Sequence, residues 1–264
     1  MTAAGPMRDT AQAGMIERGA LGAARLLRMA HGKASAFDLE FLRALEGELA
    51  AAESDGVPAV VLTGTGGIFS AGVDLVKVRD GGAAYVREFL PALRDCFERL
   101  FFFPRPTVAA VNGHAIAGGG VLTLACDRRV MSRGKGRIGL PELKVGVPFP
   151  TLVIEIIRAT LSPGVAHEIV LAGATFDPEA ALARGLVDEV VAPEALIERA
   201  GAIASDLAAV PATSYRLSKE RLRRPVREAC ERHGPAEDAA TVAAWSSAEV
   251  LDAVREYVSR TLGK

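Results

Sequence analysis

The sequence predicts an α/β fold with a parallel sheet and a helical C-terminal part. Three observations predict it. Ala59-Val60-Val61-Leu62 is an unbroken apolar run between Pro58 and Gly64, Thr107 to Val111 is a second, and from Ser162 onward the chain reads almost wholly as helices. A strand that is apolar at every position is covered on both faces, as in parallel strands joined by crossover helices. With 264 residues, half of them apolar, the chain has ample material for a core.

Taken in order, residues from about Met15 to Met29 alternate apolar and polar around Gly19 and Gly22, predicting an opening β-hairpin. Asp38 is the expected N-cap of a helix whose apolar stripe is Leu42, Leu45 and Leu49. The first buried strand follows. Val86, Phe89, Leu93, Phe97 and Leu100 mark a second long helix, which Pro91 is expected to kink by removing one backbone bond. The second buried strand runs into Asn112-Gly113 and the cluster Gly118-Gly119-Gly120, and Val121, Leu122, Leu124 and Ala125 continue as a helix. Helix caps or breaks fall near Ser162-Pro163, Asp177-Pro178 and Pro193, with a short apolar stretch at Leu186 to Val191. The last helices are expected around Tyr215 to Arg232 and Asp238 to Leu262. The division drawn from this is a core over residues 1–191 and a helical region over residues 192–264.

Charge and cysteine usage narrow the function classes. Lys plus Arg (31) nearly balance Asp plus Glu (32), leaving no positive excess to drive binding to nucleic acid or to an anionic membrane. Cys96, Cys126 and Cys230 are scattered and odd in number, so neither a disulfide framework nor a thiolate metal site is indicated. The longest uncharged run, Thr107 to Cys126, contains Asn112, His114 and four glycines, and reads as strand, loop and helix rather than a membrane span. The first residues lack a continuous apolar stretch of the secretory kind, so a cytoplasmic location is expected.

Two segments carry chemistry. Phe69-Ser70-Ala71-Gly72-Val73-Asp74-Leu75 and Gly113 to Gly120 each follow a buried strand, contain small residues and open toward a helix N-terminus. There, unpaired N–H groups and the helix dipole favour negative charge. Two such loops side by side form an oxyanion hole, in which removal of one donor costs about 3 kcal/mol of transition-state stabilisation. Glycine-rich turns also cradle nucleotides, but no Gly-x-Gly-x-x-Gly follows the first strand, which disfavours a dinucleotide-binding module.

The ordered set Lys33-Ala34-Ser35-Ala36-Phe37-Asp38, Phe69 to Leu75, Asn112 to Gly120, Cys126-Asp127 and Gly139-Leu140-Pro141-Glu142-Leu143 resembles the crotonase (enoyl-CoA hydratase/isomerase) superfamily over roughly Leu26 to Val191. The resemblance implies a ββα spiral core with a helical C-terminal trimerisation region, assembled as a homotrimer or a dimer of trimers. It implies an acyl-CoA substrate and no cofactor or metal beyond the CoA moiety. By the same likeness the backbone N–H groups of Ala71 and Gly118 are the oxyanion donors, and Lys33, Ala34, Ala36, Ala71, Gly72, Val73, Asp74 and Gly118 hold CoA and thioester. Family hydratases use two glutamates; here the first position is Val121 and the second is Glu142. Hydration needs a held water, for which paired carboxylates are the usual means, whereas a double-bond shift needs one base. The pattern is therefore similar to the family's Δ3-Δ2-enoyl-CoA isomerases, with Glu142 as the base. An enoyl-CoA hydratase, another crotonase-type lyase or hydrolase, and a CoA-binding paralogue of low activity are the alternatives.

The sequence departs from the family pattern at Ser35, where asparagine is common, and in a C-terminal helix whose aromatic-then-basic ending is only echoed by Tyr257 and Arg260. Plainer readings stand beside the sharp ones. Without the resemblance Glu142 is a solvated turn residue. His114 is a structural histidine rather than a base, and Ser70 packs in a tight turn rather than serving as a nucleophile. Trp245, Phe149 and Phe89 line an acyl pocket or simply fill the core, and Arg221 to Arg227 form a solvated helix face.

Overall fold

The computed structural model describes residues 14–261. The expected hairpin forms: β1 (Ile16–Leu21) and β2 (Ala24–Met29) pair antiparallel, Ile16 opposite Met29. Helix α1 (Leu39–Ser54) starts at Asp38, whose side chain accepts from the Phe41 N–H. Strands β3 (Ala59–Thr63) and β4 (Ile68–Ser70) lead to α2 (Leu75–Phe101), and β5 (Thr107–Val111) and β6 (His114–Ile116) lead to α3 (Gly118–Ala125). Beyond these lie β7 (Arg128–Ser132), β8 (Ile138–Gly139), α4 (Glu142–Val145), α5 (Thr151–Thr160), α6 (Pro163–Leu171), β9 (Thr175–Phe176), α7 (Pro178–Ala183) and β10 (Glu189–Val191). Helices α8 (Leu196–Ala208), α9 (Ala212–Trp245) and α10 (Ala248–Thr261) complete the described chain. No described helix is long and apolar enough to cross a membrane. The expectation drawn from the first residues of the chain lies outside the described ones.

The large sheet runs β1-β2-β3-β5-β7-β10, parallel from β2 onward. Its strands alternate between two cores. Val60, Leu62, Ala109 and Val111 join the main core with α1 and α2, while Ala59, Val61, Val108 and Ala110 face α8 through Ala200, Ile203 and Ala204. Burial on both faces explains the unbroken apolar runs, and each fully buried Val or Leu contributes about 1.5–3 kcal/mol. The small sheet runs β4-β6-β8-β9, with β4, β6 and β8 parallel.

Two helix expectations are corrected. The backbone of α2 breaks at Gly82 (φ 55, ψ −149), while Pro91 sits within helical backbone. Proline's fixed φ is itself helical, so a packed helix can absorb its cost of about 3 kcal/mol, a missing bond and a ring against the carbonyl four residues back, whereas a left-handed φ excludes most side chains. Likewise α9 is one helix through Pro225 and Pro235, and the break to α10 falls after Trp245 rather than before Asp238. Leu262, the expected end of the last helix, lies outside the described residues.

The Arg221 to Arg227 segment is only partly a solvated face. Arg223 turns inward and pairs with Asp127 at 2.8 Å, beside Lys219 at 2.7 Å from the same carboxylate. Asp127 also accepts from the Thr107 N–H and hydroxyl, so one buried carboxylate ties β5, the end of α3 and α9 together. Burial alone would raise this carboxyl; Lys219 and Arg223 outweigh burial and hold it below its ordinary value.

Candidate active site

Three adjacent parallel strands of the small sheet set the site. β4 ends at Ser70, β6 at Ile116 and β8 at Gly139, with Ser70 paired to Ala115 and Ile116 to Gly139. The segments leaving their carboxyl ends begin with Ala71, Ala117-Gly118 and Leu140 to Glu142, so register brings the three expected catalytic positions to one edge. Ligands in open α/β sheets bind at such strand ends.

The first two loops touch. A Cβ on Gly72 (φ +79) would lie 2.7 Å from the Gly118 nitrogen, and a Cβ on Gly118 would lie 2.8 Å from Cε2 of Phe37. Phe37 is fully buried and stacks on Phe41, so it has nowhere to go. Gly118→Ala is expected to destabilise the protein by about 1–3 kcal/mol and to lower turnover as the loops part. Denaturant unfolding and a rate assay check it; unchanged values for both would refute this packing.

The CoA loop predicted at Lys33 to Ala36 is sewn to the Ala71 to Asp74 loop. Phe37 N–H donates to Gly72 O at 2.7 Å, Asp74 N–H to Phe37 O at 2.9 Å, and Ala71 N–H to Ala34 O at 3.0 Å. Ser70 Oγ donates to Ser35 O at 2.7 Å and accepts from the Gly72 N–H at 3.1 Å, which makes Ser70 a buried tie. Asp74 caps α2 by accepting from Val76 and Lys77. Among the described residues, Ser35 (φ 44) and Ala117 (φ 52) are the only non-glycine residues with positive φ, and both lie in these loops. Strained backbone of this kind concentrates at functional sites.

The two expected oxyanion donors differ. Gly118 opens α3, and among the described residues no acceptor takes its N–H. Ala71 is exposed, but its N–H is engaged by Ala34 O, so a ligand oxygen receives it by sharing or displacing that carbonyl. His114 stands at the amino end of β6, away from the strand ends that carry Gly118 and Glu142.

Glu142 is the first residue of α4. The residue as a whole keeps some exposed surface, yet its Oε2 is buried and, among the described residues, has no hydrogen-bond partner. Desolvation pushes the carboxyl up to about 8, opposed by its own backbone N–H, and among the described residues no other ionisable group contributes. The position of a second glutamate in hydratases, Val121, is 1% exposed within α3. Two cavities, of ≈ 420 Å³ between α2 and α9 and ≈ 460 Å³ beside Asp127, do not include Glu142. The strand-end register, rather than cavity size, locates the site.

The enoyl-CoA hydratase/isomerase family model matches residues 26–261. The chain belongs to this family. It is 41% identical over 170 residues to a putative enoyl-CoA hydratase of Thermus thermophilus, covering 63% of this chain and 66% of that protein. It is 29% identical over 213 residues to the mitochondrial enoyl-CoA delta isomerase 1 of Rattus norvegicus, covering 80% and 74%. The human mitochondrial Δ3-Δ2-enoyl-CoA isomerase superposes with a TM-score of 0.89 at 26% identity, covering 95% of this chain and 99% of that one. A probable enoyl-CoA hydratase of Mycobacterium tuberculosis gives 0.80 at 30% identity, covering 86% and 95%. The crotonase-like fold expected from the sequence is therefore the observed one. Family relatives carry both activities in their names, and the choice between them turns on the site.

In the rest of the molecule, Phe89 is core, stacked on Tyr85, and Arg260 lies 5.8 Å from the Tyr257 ring centroid. Trp245 is buried, with its indole N–H donating to Pro148 O at 2.8 Å. That contact spans 97 residues of sequence, and nothing local in the chain marks it.

Proposed function

We propose that this protein is a Δ3-Δ2-enoyl-CoA isomerase in which Glu142 is the single base. The observation that carries the reading is the Glu142 carboxylate: desolvated, unpartnered at Oε2 and without a second ionised group acting on it, while the other glutamate position is the buried Val121. The CoA moiety lies against the loops at Lys33 to Ala36 and Ala71 to Asp74. Ionised Glu142 takes a proton from C2 of the 3-enoyl thioester. The C–H electron pair becomes part of a dienolate whose negative charge rests on the thioester oxygen, held by the N–H groups of Gly118 and Ala71. Electrons returning from that oxygen restore the carbonyl, C4 takes the proton back from Glu142, and the double bond stands between C2 and C3. No water is consumed, so no second carboxylate is needed to hold one.

The test is to follow double-bond migration in 3-hexenoyl-CoA and hydration of crotonyl-CoA separately. Migration well above hydration supports the reading. Dominant hydration would make the enzyme a hydratase, as the Thermus relative is named. Neither reaction would leave another crotonase-type conversion or binding alone.

A pH prediction follows from the same carboxyl. Because burial favours the neutral acid and the base must be ionised, kcat/KM is expected to rise with pH through about 8 and then level off. A profile already flat from about pH 5, near the ordinary range of a carboxyl, would contradict a desolvated base.

A further inference from the structure

We propose that Trp245 is a positioning residue for Glu142, acting with Asp238 as a clamp from the C-terminal helices on the segment that follows the base. The inference rests on the reading of Glu142 as the base. Helix α4 has four residues, too few to hold its shape alone. It is closed by the N–H groups of Gly146 and Val147, which both donate to Glu142 O, at 3.0 and 3.1 Å. The next residues are fixed from outside. Trp245, 2% exposed, donates its indole N–H to Pro148 O at 2.8 Å. Asp238 Oδ1 accepts the Thr151 N–H at 3.0 Å, and Glu237 Oε2 accepts the Thr151 hydroxyl at 3.2 Å. Helix α5 has no side-chain cap of its own at Pro150, so α9 supplies one from 87 residues away. Helix α10 closes the other side, where Ala253 Cβ lies 2.9 Å from the point a Cβ on Gly146 would occupy.

These contacts hold the chain on the C-terminal side of Glu142 while β8 holds it on the other. A base that must reach C2 and then C4 is sensitive to its mount, since a misplacement of about 1 Å costs on the order of a hundredfold in rate. A mount that shifts would also open the buried carboxyl oxygen to water. A desolvated carboxyl carries the abstracted proton to C4 before solvent can exchange it.

The test uses the full chain and 3-hexenoyl-CoA in D2O, measuring kcat, KM and deuterium at C4 of the product. Trp245→Phe keeps the buried ring and removes only the N–H. With the protein folded by circular dichroism, kcat is expected to fall about tenfold, KM to stay within about twofold, and product deuterium to rise. Asp238→Ala is expected to act in the same direction and serves if Trp245→Phe does not fold; Asp238→Asn, which keeps the accepting oxygen, restores wild-type behaviour. A merely structural role would lower the folded fraction without changing deuterium content per turnover. Folded Trp245→Phe and Asp238→Ala with wild-type kcat and deuterium content, beside an inactive Glu142→Gln, would overturn the clamp alone. An active Glu142→Gln would overturn the base assignment and the clamp with it.

Discussion

Glu142→Gln is expected to lower the turnover of 3-hexenoyl-CoA by about 10²–10⁴-fold, the range that a general base contributes. Glutamine keeps the shape and the two heavy atoms of the carboxyl end but accepts no proton, so packing at the start of α4 is preserved. Because Oε2 makes no hydrogen bond in the wild type, the substitution breaks no tie there. Removing a desolvated carboxyl relieves one burial penalty while the amide N–H donors bring another, so the stability of the folded state should change little. Affinity for a saturated acyl-CoA, measured by calorimetry, is expected to change little, because the contacts proposed for CoA come from other loops. A variant that binds but does not turn over separates the base from the oxyanion hole. Retention of more than about a tenth of the rate would mean that another group moves the proton.

Much of this site was legible in the sequence because its parts are local. Small residues after buried strands mark loops that must approach one another, and Gly72 and Gly118 do so. The Pro-Glu step after Gly139 taken alone reads as a solvated turn; the family resemblance singled out Glu142, which is found at a helix start with a buried carboxyl oxygen. Strand periodicity was equally readable, since β3 and β5 are buried on both faces. What was not legible depends on chain segments far apart. Arg223 carries the same charge as its exposed neighbours, and it is Asp127 and Phe101, across the fold, that draw it inward. The engagement of the Ala71 N–H by Ala34 depends on a backbone turn at Ser35 that asks for positive φ from a residue type that seldom adopts it. Prolines misled in α2 and α9 because the cost of an interior proline, about 3 kcal/mol, is outweighed where a long helix is packed along its length, as α9 is on α5 and α2.

Asp127→Ala is expected to destabilise the fold by about 3–5 kcal/mol, the cost of stranding buried charges. The carboxylate is 12% exposed and its two partners are 8% and 13% exposed, so solvent does little to screen what is left behind. Without it Lys219 keeps one contact, to Arg105 O at 3.1 Å, while Arg223 keeps Phe101 O and the Phe101 ring. Burial already holds the Lys219 ammonium down to about 8 with the carboxylate in place, so without it Lys219 sheds its proton and Arg223 is left as a buried charge with no carboxylate beside it. Lys219→Met in the same background should return part of the loss, because the pair is worth far less than the penalty of breaking it on one side. The sign with pH is fixed by the depressed carboxyl. Its stabilisation is present above the unfolded value near 3.9 and is lost as pH falls through the lower folded value, so Asp127→Ala should flatten acid unfolding below about pH 4. Urea unfolding at neutral and acidic pH reads both effects. A neutral-pH loss under about 1 kcal/mol would show that the carboxylate is not what holds α9 to the end of α3. The cluster sits at the opposite end of α3 from Gly118, so a folded variant that keeps its catalytic rate would separate the stability of the C-terminal helices from the chemistry at the helix's first residue.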